Sequence, residues 1–308
     1  MTDPGSDVRV PITYATHSAS QATAQLAHIV PLLAEQFPLR NLHWRPPVTM
    51  QTLRPLKRSS GSSGMDSVPA LRTIQNLNVE LIPLATHLPN QHNVQILERA
   101  PCVHIFFVTC DDIDVYRAQV RNEIRHWLAT LRKHIPNDFD HLSTIRSDEQ
   151  DKAGTALPPE HLIVLLPPPS SGVFTASSAT SSGKSAMGRF YTMNKGTVLE
   201  KLRADFNSSA KEHVLALSKL PTSSKDNDPA LWIDIIAHIK TCTLASVGRV
   251  LDMQDRVVSM YDESTKGVNW TLSGSITRKE FVIQTLEGLG LLHDVLHIYD
   301  TVETHLER

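Results

Sequence analysis

An uninterrupted apolar run followed directly by an amphipathic helix constrains the fold of this chain more than any other feature. Residues 103–108 read VHIFFV, and a short run rich in β-branched and aromatic residues is typical of a strand covered on both faces. After Asp111 and Asp112, either of which can cap a helix, apolar residues recur every three or four positions. The sequence therefore predicts a buried strand, a cap and a docked helix, with no catalytic motif in the turn between them.

A second apolar run extends this unit into a sheet. Residues 161–166 read HLIVLL, and two buried strands separated by a helix favour a parallel pairing. Further strands are predicted at residues 8–16, 41–44, 74–84 and 213–217, and further helices at residues 22–35 and after the capping box of Thr197 and Glu200. We predict an α/β domain over residues 1–222, with a mostly parallel sheet flanked by helices.

Three stretches rich in Ser, Pro, Gly or other polar residues interrupt this domain. They fall near residues 45–69, 137–160 and 167–190, and their composition predicts disordered insertions. The first contains a Gly/Ser tract at residues 59–64 and a basic cluster from Arg54 to Arg58. A solvated linker explains this cluster more simply than a site for anionic lipid or an acidic partner.

Residues 228–308 carry helical periodicity and no strand-like run. Asp228 and Pro229 form a good helix start, and the apolar period continues to Val258, which predicts one unusually long helix. Thr277 and Glu280 are predicted to cap a second helix, and Gly290 to turn the chain into a third. This arrangement predicts that the chain ends where an α-solenoid begins.

Composition and charge exclude several classes of protein. The 308 residues carry a formal net charge of -2, which gives no electrostatic reason to expect nucleic acid as a partner. The sequence has no long apolar run and no basic-then-apolar start, so we expect neither a membrane span nor a signal peptide. Cys102, Cys110 and Cys242 show no disulfide or zinc spacing, which suits a reducing compartment.

One motif suggests a nucleotide, and it is incomplete. Residues 182–185 read SGKS, like the end of a phosphate-binding loop, but the first glycine of that pattern is replaced by Ser178. Asp111, Asp112 and Asp114 could hold a magnesium ion only with substrate phosphates, so helix capping is the better interpretation. The histidines show no metal-ligand spacing, and we predict no metal, no cofactor and no catalytic residue.

Several strings in the chain also carry a resemblance to a known family. They are residues 39–44 (LRNLHW), residues 71–74 (LRTI), the segment 105–128, residues 201–206 (KLRADF) and the final hairpin at 290–303. Together they resemble the N-terminal region of the largest TRAPP II-specific subunit, of the fungal type. The resemblance covers most of the chain outside residues 45–69 and 138–160, and it rests on packing strings with no catalytic signature.

The resemblance implies a function that the residues alone do not. It implies a cytosolic, non-catalytic scaffold of a multisubunit vesicle-tethering complex, peripheral on late Golgi (trans-Golgi) membranes. The other TRAPP core and TRAPP II subunits would be its partners, and a Rab GTPase would be reached through the assembled complex, which promotes guanine-nucleotide exchange. It also implies a GTPase-like α/β domain without a phosphate loop, followed by an α-solenoid.

Four aromatic residues of the helical part are the candidate protein-interaction residues: Trp232, Tyr261, Phe281 and Tyr299. Long helices with apolar stripes at their ends bury them against the next repeat or against a neighbouring chain. The alternative function is a nucleotide-binding or vestigial GTPase-like domain with its own ligand, with Asp111, Asp112 and Lys184 as the remnant of its site.

Overall fold

A six-stranded sheet with helices on both faces organises the computed structural model of this chain. The structure describes residues 8–46, 50, 70–86, 102–133, 159–167, 196–263 and 271–306. The sequence-predicted insertions near 45–69, 137–160 and 167–190 lie almost entirely outside the described residues, as do the basic cluster from Arg54 to Arg58 and the phosphate-loop-like residues 182–185.

The strand order confirms the predicted α/β fold. Strand order across the sheet is β2-β3-β1-β4-β5-β6, and only β2 runs antiparallel to its neighbour. The strands are β1 (Arg9–Thr16), β2 (Leu39–Trp44), β3 (Arg72–Pro83), β4 (Val103–Val108), β5 (His161–Leu165) and β6 (Val214–Ala216).

Six α-helices accompany this sheet within the described residues. They are α1 (Ser20–Ala34), α2 (113–133, with a π-helical turn at Tyr116–Val120), α3 (Val198–Phe206), α4 (Ile233–Glu263), α5 (Leu272–Gly288) and α6 (Leu292–Leu306). Asp112 caps α2 by accepting a hydrogen bond from Asp114 N–H, and the predicted capping box of Thr197 and Glu200 is present at α3. Both caps satisfy backbone N–H groups that a helix start leaves unpaired.

Strand β4 is buried on both faces because two separate apolar layers pack against it. Phe106 and Val108 face α2 and α3, where they join Tyr116, Trp127 and Leu202. The alternate residues of β4, Val103, Ile105 and Phe107, face α1 and α4. The continuous apolar run therefore reflects a central strand with helices on each side.

Helix α4 lies against the second of these faces and joins the helical part to the sheet. Its buried side chains, which belong to the same apolar cluster as the sheet and α1, are Ile235, Ile239, Cys242, Val247, Leu251 and Val258. Residues Pro229–Asp262 are long and apolar enough to cross a membrane by length and composition alone. Because this helix packs against strands and against α5, we interpret it as the core helix of a globular fold.

The start of α4 is fixed to α1 by a buried asparagine. Asn227 donates from Nδ2 to Leu32 O at 2.9 Å and to Glu35 Oε2 at 2.7 Å, and its Oδ1 accepts from Trp232 Nε1 at 2.7 Å. Both polar groups of this amide and the indole N–H of a fully buried tryptophan are thereby satisfied.

The predicted cap of α5 is wrong, although the helix itself is present. The helix begins at Leu272, and Thr271 is the cap because its side chain accepts from Gly274 N–H at 3.0 Å. Thr277 lies inside the helix, where its hydroxyl donates to Ser273 O at 2.9 Å. At the other end the predicted turn is confirmed, since Gly290 has φ 70° and Leu291 N–H donates to Leu286 O.

Helices α4, α5 and α6 pack in sequence against one another, which is consistent with the start of a solenoid. Their buried side chains also join the apolar cluster of the sheet. The boundary between residues 1–222 and residues 228–308 stays a prediction from the sequence.

A buried carboxylate at the amino edge of the sheet ties α4 to β5 and β6. Glu160 is 7% exposed and forms ion pairs with Lys211 and with Arg249 of α4. Burial alone would raise the pKa of Glu160, but the hydrogen bonds from Lys211 and Arg249 outweigh it and lower that pKa. The pair of cations therefore keeps the carboxylate ionised beneath the helix.

Two histidines stack beside this carboxylate. The rings of His161 and His213 lie 4.3 Å apart and nearly parallel, and Trp127 meets His161 edge-on at 6.0 Å. Burial, with smaller contributions from His213 and Lys211, lowers the pKa of His161 to about 4 despite the opposing effects of Pro159 and Glu160. His161 is therefore neutral in the folded chain near neutral pH.

Replacing Glu160 with Gln should destabilise the chain by about 2 kcal/mol, because two cations lose their buried counter-charge. The figure lies below that of a fully buried pair because Lys211 and Arg249 are each about one-third exposed. Chemical denaturation at pH 7 measures the change. The matched control is Arg256→Gln, which removes an exposed ion pair with Asp252 on the same helix and should cost less than about 0.5 kcal/mol. Equal costs for the two variants would contradict the anchoring role of Glu160.

Replacing His161 with Phe should flatten the dependence of stability on pH between about 4 and 6.5. In that window the unfolded chain binds a proton at His161 that the folded chain rejects, so stability falls as the pH falls. One such proton contributes up to about 1.4 kcal/mol per pH unit. Urea denaturation at a series of pH values measures the slope. The two curves should run parallel above pH 7, and an unchanged slope below pH 6 would show that this ring titrates normally.

Candidate functional site

The carboxyl edge of the parallel strands is where α/β proteins usually bind ligands. Strand order reverses between β1 and β4, and α/β proteins bind ligands in the crevice beyond such a switch point. In this chain β1 is followed by His17 and Ser18, and β4 by Thr109, Cys110 and Asp111.

Internal hydrogen bonds fill this crevice. His17 Nε2 lies 3.2 Å from the backbone nitrogen of Thr109 and 3.0 Å from its carbonyl oxygen. Thr109 Oγ1 donates to Gln25 Oε1 at 2.7 Å, and Gln25 Nε2 reaches Pro167 O at 3.5 Å. Burial lowers the pKa of His17 despite the nearby carboxylate of Glu123, so the ring is neutral. These groups satisfy one another across β1, α1, β4 and β5.

A second network seals the outer side of the same crevice. Glu123 of α2 accepts from Ser18 N–H at 2.7 Å, from Ser18 Oγ at 2.8 Å and from Gln119 Nε2 at 2.9 Å. Burial alone would raise the pKa of Glu123, but these hydrogen bonds outweigh it and lower the pKa. The residues after β1 are thus bound to α2 beside the switch point.

The acidic residues predicted at this edge stabilise the start of α2. Asp112 caps α2, and the exposed Asp114 forms an ion pair with Arg117 at 3.7 Å. Cys110 Sγ donates to Asp112 O at 3.2 Å, and burial raises the pKa of this thiol. Within the described residues no group of three or more acidic, histidine or cysteine side chains could hold a metal ion.

The helical end of the chain carries a second candidate site, made of α4, α5 and α6. Its base is rigid, because Lys279 of α5 pairs with Asp262 of α4 at 2.9 Å and Ser275 donates to the same carboxylate at 2.6 Å. The Tyr261 hydroxyl accepts from Thr271 N–H at 2.8 Å, and Arg278 stacks 3.8 Å over the Tyr261 ring. These contacts fix the angle between α4 and α5.

The four predicted interaction residues occupy different environments in this end of the fold. Trp232 is fully buried and Tyr261 is 6% exposed, so both pack inside the protein. Phe281 is half-buried. Tyr299 is 44% exposed on the outer side of α6. Only Tyr299 offers a large aromatic surface to a partner.

The four predicted interaction residues do not include the two leucines that accompany Tyr299. Leu292 and Leu296 are 62% and 63% exposed, and they lie seven and three residues before Tyr299, on one face of α6. The adjacent face of the helix carries Val295 and Ile298, which are buried in the core. Apolar spacing could have shown that α6 has two apolar stripes, since three- and four-residue intervals occur twice along it.

Acidic side chains border this exposed stripe, which comprises Leu292, Leu296 and Tyr299. Glu287 lies at the end of α5, and Glu303 lies one turn beyond Tyr299, both exposed. Partial burial raises the pKa of Tyr299, and the negative charges of Glu280 and Glu287 add to the effect. The stripe therefore combines an apolar centre with a negative border.

Comparisons with known proteins show which proteins this chain resembles. A family model described as trafficking protein particle complex subunit 10-like, N-terminal, matches residues 63–155. Trafficking protein particle complex subunit 10 of Mus musculus is 20% identical over 275 residues, covering 89% of this chain and 17% of that protein. The Drosophila melanogaster protein of the same name is 20% identical over 278 residues, covering 82% of this chain and 20% of that protein.

The chain spans about a fifth of the length of these relatives. No solved structure matches it. The predicted resemblance is confirmed: the chain is similar, over most of its length, to the N-terminal region of trafficking protein particle complex subunit 10.

Proposed function

We propose that this chain is a non-catalytic scaffold of the TRAPP II vesicle-tethering complex. The observation that carries the proposal is its similarity to subunit 10 of two animals, over more than four-fifths of the chain. Residues 63–155 match the family model of the N-terminal part of that subunit. In this role it binds other TRAPP core and TRAPP II subunits. It supports guanine-nucleotide exchange on a Rab GTPase through the assembled complex, on the cytoplasmic side of late Golgi membranes.

The carboxyl edge of the sheet supports a scaffold over a nucleotide-binding domain. The backbone and side chains after β1 and β4 are bonded to one another through His17, Thr109 and Glu123. A phosphate needs free backbone N–H groups at a helix start, but the cap of α2 is already supplied by Asp112. Lys184, the third residue of the alternative site, lies outside the described residues.

The exposed stripe of α6 is the surface we propose for docking within the complex. An exposed apolar stripe beside the packed face of a helix is what helical repeats present to the next element. Tyr299 contacts the neighbouring subunit directly in this proposal. Trp232 and Tyr261 act through packing, since they hold α4 and α5 in the positions that carry α6. Phe281 is half-buried on α5 and stays a predicted contact residue.

The negative border of the stripe defines the partner more closely. Glu280, Glu287 and Glu303 favour a partner surface with an apolar centre and flanking lysine or arginine side chains. An amphipathic helix with basic flanks meets both requirements. Association through such a surface should weaken at high salt.

Replacing Leu296 with Asp should weaken assembly at least about tenfold, because an apolar contact becomes a buried, unpaired charge. The measurement is co-elution of the full chain with purified TRAPP core and TRAPP II subunits on size exclusion. The matched control is Ile233→Asp, an equally exposed apolar residue (66%, against 63% for Leu296) at the other end of the helical part.

Two other outcomes decide between the proposals. Equal binding by the Leu296 and Ile233 variants would place the docking surface elsewhere. A wild-type chain that elutes alone would contradict the scaffold, and melting with magnesium and nucleotide then tests the alternative function. A true nucleotide site should stabilise the chain by about 2.7 kcal/mol at a hundredfold excess over its dissociation constant.

A further inference from the structure

Among the residues that the structure describes, half of strand β3 pairs with a strand on only one side. Residues 72–77 pair with β2, while residues 78–83 pair with β1 on the opposite side. Pairing with β2 begins at Leu39, because the preceding residue is Pro38, which has no N–H to donate. Among the described residues no strand pairs with residues 78–83 on the β2 side. We call this side of residues 78–83 the open edge.

The hydrogen-bond pattern shows which backbone groups the open edge presents. Cys102 N–H donates to Pro11 O, so Pro11 directs its backbone towards β4. Because backbone groups alternate in direction along a strand, Val10, Ile12 and Tyr14 direct theirs towards β3. In a parallel pair, the β3 residues directly opposite these three point their N–H and carbonyl groups away from β1. Those residues are Val79, Leu81 and Pro83.

The open edge therefore offers the N–H donors and carbonyl acceptors of Val79 and Leu81, over a length of about 10 Å. The outward carbonyl of Pro83 already accepts from Thr86 Oγ1 at 2.9 Å. Pro83 is one of the outward-facing residues, so a proline there removes no hydrogen bond to β1. Proline is tolerated in a strand at such positions. Short strands and charged side chains commonly protect such edges from unwanted pairing. This edge carries one charged side chain, Glu80, which is exposed.

The two faces of the open edge differ in polarity. Val79 and Leu81 are half-buried and pack on the apolar cluster shared with α1. Asn78 and Glu80 are exposed on the other face. A strand added here would extend the apolar layer with alternate side chains and place the others beside Asn78 and Glu80.

We propose that the open edge binds an extended segment of a partner protein by strand addition. The segment alternates apolar and polar residues and carries a lysine or arginine opposite Glu80. A second copy of this chain fits less well. If two copies paired in antiparallel orientation, with every outward N–H and carbonyl of Val79 and Leu81 hydrogen-bonded, Glu80 of one copy would lie directly opposite Glu80 of the other. Like charges directly opposite each other destabilise a strand pair. The surface is distinct from the stripe of α6 and does not depend on it.

Amide-resolved hydrogen exchange on the full chain provides the first test. In the chain alone the amides of Val79 and Leu81 should exchange at least about tenfold faster than those of Glu80 and Ile82, which donate to β1. Slow exchange of Val79 and Leu81 in the monomer would overturn the proposal, since another segment of the chain would then cover the edge. If exchange of Val79 and Leu81 slowed only because the protein concentration was raised, the edge would bind a second copy of this chain, and the proposal would be overturned.

A synthetic peptide provides the second test and does not require the TRAPP II complex. The probe is a short capped peptide that alternates valine with threonine and has a central lysine. Its control is the same peptide N-methylated on the amides that would face β3. The parent peptide at millimolar concentration should slow exchange at Val79 and Leu81, and the methylated one should not. Equal effects of the two peptides, or no effect of either, would overturn strand addition.

Two substitutions make the test specific to this edge. Leu81→Pro removes an outward N–H without removing a bond to β1, and it should abolish peptide binding, while Leu81→Ala retains the N–H and binding. If the proline variant fails to fold, Glu80→Arg replaces it. That variant should weaken binding of the lysine peptide by about threefold and strengthen binding of a glutamate peptide by a similar factor. If the Glu80 variant bound the lysine and glutamate peptides with the same preference as the wild type, the proposed orientation of the segment would be overturned.

Discussion

Burial of β4 on both faces is the constraint on which the rest of the fold depends. A strand with apolar residues on each side must be covered twice, so α2 and α3 pack on one face and α1 and α4 on the other. Coverage of the second face by α4 brings the helical end into contact with the sheet. The anchoring of α4 through Glu160 then fixes its position, because a buried carboxylate needs both Lys211 and Arg249.

The sequence predicted those parts of the fold in which local pattern and burial agree. The apolar runs of β4 and β5, the cap of α2 and the turn at Gly290 each carry a signal in the residues themselves. The cap of α5 was misplaced because Thr271 and Thr277 are the same residue type, and only the contact with Gly274 distinguishes them. The antiparallel direction of β2 depends on long-range pairing, which no local pattern specifies.

The candidate sites were less predictable for the same physical reason. Hydrophobic spacing shows that a helix has an apolar stripe, but not whether the protein itself covers that stripe. Trp232 and Tyr299 both fit the helical period, yet one is fully buried and the other is 44% exposed. Leu296 continues the same pattern and lies on the exposed face. The open edge of β3 could not be predicted from the sequence. It exists because β2 pairs only with residues 72–77, while β3 continues to Pro83.

These observations divide the chain into a closed region and two open ones. The crevice at the switch point is closed by hydrogen bonds among His17, Thr109 and Glu123, so the fold's usual ligand position is used to hold its own elements together. Within the described part of the chain, the stripe of α6 and the edge of β3 leave apolar side chains and backbone groups uncovered. Such groups gain most from a protein partner, because only another chain offers both apolar area and complementary backbone hydrogen bonds. Both surfaces therefore support the proposal of a scaffold that binds protein neighbours.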